Sequence, residues 1–304
     1  MTVCASILHV LMALTLSPLL LGVINRTKAK FAGRCGQPLL QPYYDLAKLL
    51  RKGAVYSRTT TWVFRAGPMV GLAAMLLVIG LVPLGGVRAL GTFPGDLILL
   101  TYALGLTRFM TMLAALDTGS AFEGMGASRE AQFSLLAEPV LLLSLAALAI
   151  CTRSMGLSDI YGSLHTLDSA RWVPTASLAA AAIFIVLLVE NARIPIDDPN
   201  THLELTMIHE VMVLDHGGVD LGLIQYGAAL KLWVFSSLLV GVVIPWQIGQ
   251  PVLDLLLGVG GIFALAVVVG VVESAMARLR LVRVPQMLAV AAVLTVIAII
   301  WALR

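Results

Sequence analysis

Apolar residues fall along this chain in blocks of similar length. Eight runs consist of Leu, Ala, Val, Ile and Gly with few charges. They lie at roughly 3–24, 66–84, 95–116, 133–152, 174–190, 223–245, 253–275 and 284–303. A helix that crosses the hydrocarbon needs about 20 apolar residues. No run alternates strictly between polar and apolar positions, which argues against a β-barrel. The pattern predicts an all-α, polytopic membrane protein with eight transmembrane helices. We read it as a single integral membrane domain, 1–304, with long internal loops at 25–65, 117–132, 191–222 and 276–283.

The polar segments carry patterns of their own. "RCGQPLLQPYYDLAKLL", residues 34–50, breaks at Gly36, Pro38 and Pro42 and then sets Leu46, Leu49 and Leu50 on one face. That predicts a short amphipathic helix lying on the membrane or against a partner. In "LDTGSAFEGMGASREA", residues 116–131, Gly119, Gly124 and Gly126 predict a broken, non-helical stretch. Ser128 is placed to cap the next helix, with Glu130 in its first turn. Glu138, ahead of Pro139, then lies about 15 Å along that helix, near mid-bilayer.

The third polar segment, "ENARIPIDDPNTHLELTMIHEVMVLDH", concentrates acid. It holds Glu190, Asp197, Asp198, Glu204, Glu210 and Asp215, and three of the five histidines. Pro195 and Pro199 break the fifth run. Thr201 and Glu204 form a capping box, and Gly217-Gly218 supplies a stop. The intervening helix of roughly 15 residues is apolar all round, so it is expected to be buried and its acids to be buried or to line a cavity.

Composition agrees with the block pattern. The chain is 59% hydrophobic and 12% charged, with a mean hydropathy of +0.96, too apolar for the polar shell of a soluble domain. The net charge is +3, but its distribution says more. Fourteen Lys and Arg residues lie in the odd-numbered loops: Arg26, Lys28, Lys30, Arg34, Lys48, Arg51, Lys52, Arg58, Arg65, Arg129, Arg193, Arg278, Arg280 and Arg283. Only Arg88, Arg153, Arg171 and Arg304 lie on the other side. The bias predicts both termini outside and the acid-rich segment inside. The first run lacks a basic leading region and is read as an anchor rather than a cleaved signal. The basic loop also suits lipid contact.

Metal chemistry finds no ligand set. Cys4, Cys35 and Cys151 are isolated, which leaves no thiolate set for zinc, a cluster or a disulfide. His202, His209 and His216 recur every seven residues, about 10.5 Å apart on a helix, too far for one ion. We read them as packed or hydrogen-bonding residues. Nucleotide-binding glycine motifs in a strand–helix setting are absent. No metal and no catalytic residue is expected in this chain, and no nucleic acid among its partners.

Charges inside the runs remain. Arg108, Glu138 and Lys231 sit deep, and Glu190 and Glu273 near inner ends. An ionised group at the bilayer centre costs at least about 2.5–3.5 kcal/mol, so such groups face a bundle interior and find partners. A carboxylate held between desolvation and neighbouring cations can load and release protons. The expected proton or ion path comprises Glu138, Glu190, Asp197, Asp198, Glu204, Glu210, Asp215, Lys231, Arg108 and Glu273. The competing reading is a set of structural ion pairs.

Taken together, "LDTGSAFEGMGASREA" with Glu138-Pro139, "RCGQPLLQPYYDLAKLL", "ENARIPIDDP" with Glu204-Leu205, and "ESAMARLRL" at 273–281 resemble one lineage. It is the membrane-anchor subunit family shared by respiratory complex I and the group 4 membrane-bound NiFe-hydrogenases, which includes formate hydrogenlyase subunit 4 and hydrogenase-4 component C. The first block points to the hydrogenase branch. Arg193 and Asp197 are closer to the complex I form.

The resemblance implies a non-catalytic subunit of a hydrogenase complex in the cell (inner) membrane. Such a subunit docks a hydrophilic arm of large, small and iron–sulfur subunits, joins it to antiporter-like membrane subunits, and links electron transfer to proton or ion movement. NiFe and iron–sulfur centres would sit in partners, and quinone is a possible ligand. By matching position, Arg129 and Arg193 become charge partners of the acidic path, and Arg34, Asp45 and Lys48 belong to the arm-facing segment, where Arg51 is also expected to take part in docking. Two alternatives stay open: a quinone-binding subunit of a complex I-type NADH dehydrogenase, and a stand-alone secondary transporter.

Overall fold

The structure, a computed structural model, describes residues 2–166, 169–197, 207–245 and 248–304. Among these, ten α-helices and three short 3-10 turns account for the regular structure, and the only pairing of extended backbone is the isolated bridge Leu84–Val87. The helices are α1 (Thr2–Phe31), α2 (Gln41–Leu50), α3 (Trp62–Leu81), α4 (Asp96–Asp117), α5 (Ala121–Thr152), α6 (Leu157–Ser163), α7 (Ser169–Glu190), α8 (Gly218–Val243), α9 (Pro251–Ala275) and α10 (Val284–Ala302). Eight are long and apolar enough to cross a membrane, and they coincide with the eight apolar runs.

The most enclosed of these is α8, which packs against α1, α3, α7 and α9. Trp233 and Phe235 on it are fully buried. On one flank α3 pairs with α4, and α4 with α5; on the other α10 packs on both α5 and α7. Outward-facing positions stay apolar, as for Leu76 and Leu77 on α3 or Val290 and Val293 on α10. That suits lipid or partner helices rather than water.

The short amphipathic helix is α2. It packs on α1 and α8. Tyr43 donates a 2.5 Å hydrogen bond to the Thr15 carbonyl, and Leu49 and Leu50 approach Gly222. Nearby, Asp117 at the end of α4 accepts from the Thr61 amide (2.6 Å) and hydroxyl (2.8 Å), fixing the start of α3.

Three expectations need correction. Residues 117–132 are not a loop, because α5 starts at Ala121 and runs through Gly124, Gly126 and Ser128. Only Gly119, at φ +70°, breaks the chain. Ser128 does not cap; its hydroxyl donates back to the Met125 carbonyl. Gly126 serves packing instead: a Cβ there would stand 2.9 Å from Met212 Cγ and 3.0 Å from the Ile208 carbonyl.

The second correction concerns the 15-residue helix. Thr201, Glu204, His202 and Asp198 lie outside the described residues. What is described, 207–217, is turn around a 3-10 segment at Glu210–Val213. Its burial was anticipated, since Met207, Ile208, Val211 and Met212 are all buried, but Leu214 is exposed and Asp215 with it.

Third, 191–222 is not simply an internal loop. Residues 192–197 are buried and non-helical, and α8 already begins at Gly218. The first loop is likewise shorter than 25–65, because α1 runs to Phe31 and α3 starts at Trp62.

Candidate functional site

Three mid-length charges converge on the end of α7. Arg108 lies near the middle of α4, Glu138 near the middle of α5, and Lys231 near the middle of α8. Glu190 ends α7. Arg108 bridges the two acids, with Nη2 2.5 Å from Glu138 Oε1 and Nη1 paired to Glu190 Oε1. Lys231 Nζ takes the other Glu190 oxygen at 2.9 Å. Glu190, Arg108 and Lys231 are buried, whereas the Glu138 side chain is 46% exposed. The quartet is neutral, two of each sign, which offsets much of the cost of holding charge at this depth.

Because Glu190 meets the middle of α8, the backbone leaving α7 enters the body of the bundle. Non-helical backbone at such depth is tolerated where protein or a cavity surrounds it. A second rank of charges holds it. Arg193 reaches Glu273 Oε1 at 3.4 Å, while Lys28 Nζ takes Glu273 Oε2 at 2.8 Å. Arg278 Nη2 meets Asp197 Oδ1 at 2.7 Å, and the Leu279 amide donates to the Pro195 carbonyl at 2.7 Å. The other Asp197 oxygen accepts the Ile208 amide at 3.1 Å. Four separate pieces of chain, from α1, α9, the 276–283 turn and the 207–217 segment, thus converge on 193–197.

Between the quartet and α2 lies a half-open cavity of about 640 Å³. Arg108, Glu190 and Lys231 line it, as do Glu130, Arg193, His209 and Glu210. Leu21, Leu46, Leu72 and Met75 give it apolar walls, and Asp45 and Gln41 stand on α2. The 207–217 segment closes one side, tethered at both ends. Arg129 donates to the Met207 carbonyl (2.9 Å), the Asp215 amide donates to Glu123 Oε1 (3.0 Å), and His216 stacks on Phe64 at 3.9 Å between centroids.

The structure therefore brings together Arg108, Glu138, Glu190 and Lys231, and groups Arg193, Glu273 and Asp197 beside them. Glu210 lines the cavity. Asp215 is exposed and joins neither group. Among the described residues Arg129 holds a backbone carbonyl and Met125 Sδ. Arg34, Lys48 and Arg51 are exposed, and Asp45 accepts from Gln41 at 2.9 Å. Glu123 and Glu130 are both buried, although the sequence pattern suggests for Glu130 only a helix-start role and nothing for Glu123. Their seven-residue spacing puts them on one face of a helix, a signal that goes unread if the stretch is taken as a loop. Among the described residues no group of three or more His, Cys, Asp or Glu side chains is placed to hold a metal.

The sequence profile of the NADH dehydrogenase family matches residues 4–303. This chain belongs to that family. Within the NADH dehydrogenase family it is similar to formate hydrogenlyase subunit 4 of Escherichia coli (strain K12), at 32% identity over 287 residues and 92% of each chain. Hydrogenase-4 component C of the same organism is 34% identical over 239 residues, 78% of this chain and 74% of that one. Among solved structures, a chain of the membrane-bound sulfane sulfur reductase, an archaeal respiratory membrane complex, shares the fold. Its TM-score is 0.82 over 99% of both chains at 23% identity. The eight-helix plan is thus the plan of a family whose members are subunits of larger membrane complexes.

One pH effect arises at the tether. Burial lowers the His216 pKa below its ordinary 6.5, against the opposing pull of Asp220 and Asp215. Unfolded histidine binds a proton near pH 6.5, and the buried ring resists it. The tether is therefore unaffected above that pH and weakens as pH falls through it. Amide exchange in 207–217 should be flat from pH 7.5 to about 6.5 and accelerate progressively below it, after correction for intrinsic rates. His216→Phe keeps the stack and should abolish the dependence. A profile unchanged by that substitution would assign the effect elsewhere.

Proposed function

We propose that this chain is the membrane-anchor and coupling subunit of a respiratory membrane-bound hydrogenase complex of the formate-hydrogenlyase type. It holds a hydrophilic redox arm against its inner face and links electron transfer there to proton or ion movement in the membrane. The observation that carries the reading is the neutral quartet, three of whose members, Arg108, Glu190 and Lys231, are buried and line a cavity that reaches α2. A redox change at the mouth of such a cavity alters the field on Glu190 and Glu138, and shared protons move in response.

Exposed cations on 26–65, with α2 as a rigid platform, support arm docking. The charge bias supports an inside placement for that surface and an outside one for both termini. Glu138 supports a second contact. A half-exposed carboxylate among exposed Leu135 and Leu142 is costly against lipid. A neighbouring membrane subunit of antiporter type, offering polar or protonatable groups, would cover it. The nickel, iron and iron–sulfur chemistry belongs to the arm, and the setting is the inner (cytoplasmic) membrane. A stand-alone transporter has no support from relatives that are themselves subunits.

Docking is testable directly. Arg51→Glu and Asp45→Lys reverse exposed charges without touching the bundle. Soluble hydrogenase-like subunits should be lost from detergent-purified complex, while the chain remains in the membrane fraction at wild-type level. Co-purification of the full arm with both variants would remove the docking role. A quinone-binding subunit of complex I type is the second reading. It is favoured by one observation: a cavity within the usual range for small ligands, with apolar walls and a charged base.

A further inference from the structure

We propose that His209 relays protons between Glu130 and the Glu190 end of the quartet, across the wall of the cavity. The inference rests on the coupling reading and adds the side chain that supplies the buried acids. His209 stands on the 207–217 segment and lines the cavity together with Glu130 and Glu190. Its Nε2 is 3.4 Å from Glu130 Oε2, and Glu190 lines the same cavity. Both ring nitrogens are shielded from bulk solvent, and neither completes a hydrogen bond among the described residues. The ring therefore stands beside Glu130, in a cavity it shares with Glu190, without being locked to either.

Imidazole suits the position because it accepts on one nitrogen and releases from the other. The Glu130 carboxyl gives its proton to Nε2, and the cation that forms releases the Nδ1 proton towards the cavity and Glu190. The ring returns to its starting tautomer by turning over or by the reverse hop. One proton enters and one leaves, and no electron is transferred. The charged groups around the ring are Glu130 and Arg129 on α5, Glu190 on α7, Arg108 on α4, Lys231 on α8 and Glu210 beside it. Arg129 is committed to the Met207 carbonyl, and Arg108 and Lys231 to Glu190. His209 is thus the imidazole of this set, able both to accept and to donate a proton. The competing explanation is that His209 and Glu130 merely pin the 207–217 segment.

The intact complex in proteoliposomes distinguishes them, with internal pH read by an entrapped dye and arm activity read with an artificial acceptor. His209→Gln keeps bulk and hydrogen bonding but carries no proton. It should assemble, retain acceptor activity, and lose at least about tenfold in proton movement, the lower end of what a positioned proton carrier supplies. Glu130→Gln should behave alike. Added imidazole should restore proton movement to His209→Ala, because the half-open cavity admits it. Pyrazole, of the same size but barely basic, should not.

Wild-type proton movement in both Gln variants, or equal rescue by pyrazole, would overturn the relay and leave the coupling reading standing. A wild-type complex that moves no protons would remove both. Should His209→Gln fail to assemble, Glu130→Gln with the imidazole and pyrazole comparison on His209→Ala still decides.

Discussion

Glu190→Gln is expected to destabilise the chain by about 3–5 kcal/mol, the usual cost of removing one partner from a buried ion pair. Glu190 is buried and answers two cations. With a neutral amide in its place Arg108 keeps Glu138, but Lys231 loses the partner it has among the described residues. The uncompensated charge is then Lys231, near the middle of α8, the most enclosed helix. Detergent-solubilised Glu190→Gln should unfold at a markedly lower temperature and accumulate poorly. Adding Lys231→Met should recover a large part of the loss, since the stranded ammonium goes with it. Strictly additive effects of the two changes would show that they do not interact and that the quartet is not a unit.

The same residues show how far sequence carries. Eight apolar runs forecast the eight spanning helices closely, because hydrocarbon thickness sets helix length independently of tertiary detail. Arg108, Glu138, Glu190 and Lys231 were legible as functional candidates because ionised groups are expensive there. Their pairing was not, since it depends on where α7 stops. Residues 192–197 read as an internal loop because Pro195, with Pro199 just beyond, breaks the fifth run. They lie inside the bundle because Glu273 and Arg278, remote in sequence, neutralise Arg193 and Asp197. Glycine content misled at 119–131 for a related reason. At Gly126 the missing side chain admits Val211 and Met212, and the tertiary gain outweighs the roughly 1 kcal/mol that glycine costs a helix.

Glu138→Gln should have the opposite profile from Glu190→Gln. Both acids share Arg108, but Glu138 is half exposed, and Arg108 stays paired to Glu190 when it is removed. The stability loss should be smaller than for Glu190→Gln, because no buried cation is left without a partner. What is lost is the one titratable group of the quartet that faces outwards, towards the surface where a second membrane subunit is proposed. Gradient-linked turnover of the complex should fall by roughly 10²-fold, the scale of a removed proton-transfer group, while acceptor activity of the soluble arm stays near wild type. Glu138→Asp, which keeps the carboxyl on a shorter stem, should recover part of the coupling. If Glu138→Gln couples normally, the quartet is a structural ion pair set and coupling must run elsewhere. If coupling and assembly fail together, Glu138 holds the subunit interface, and its exposure marks a contact rather than a proton path.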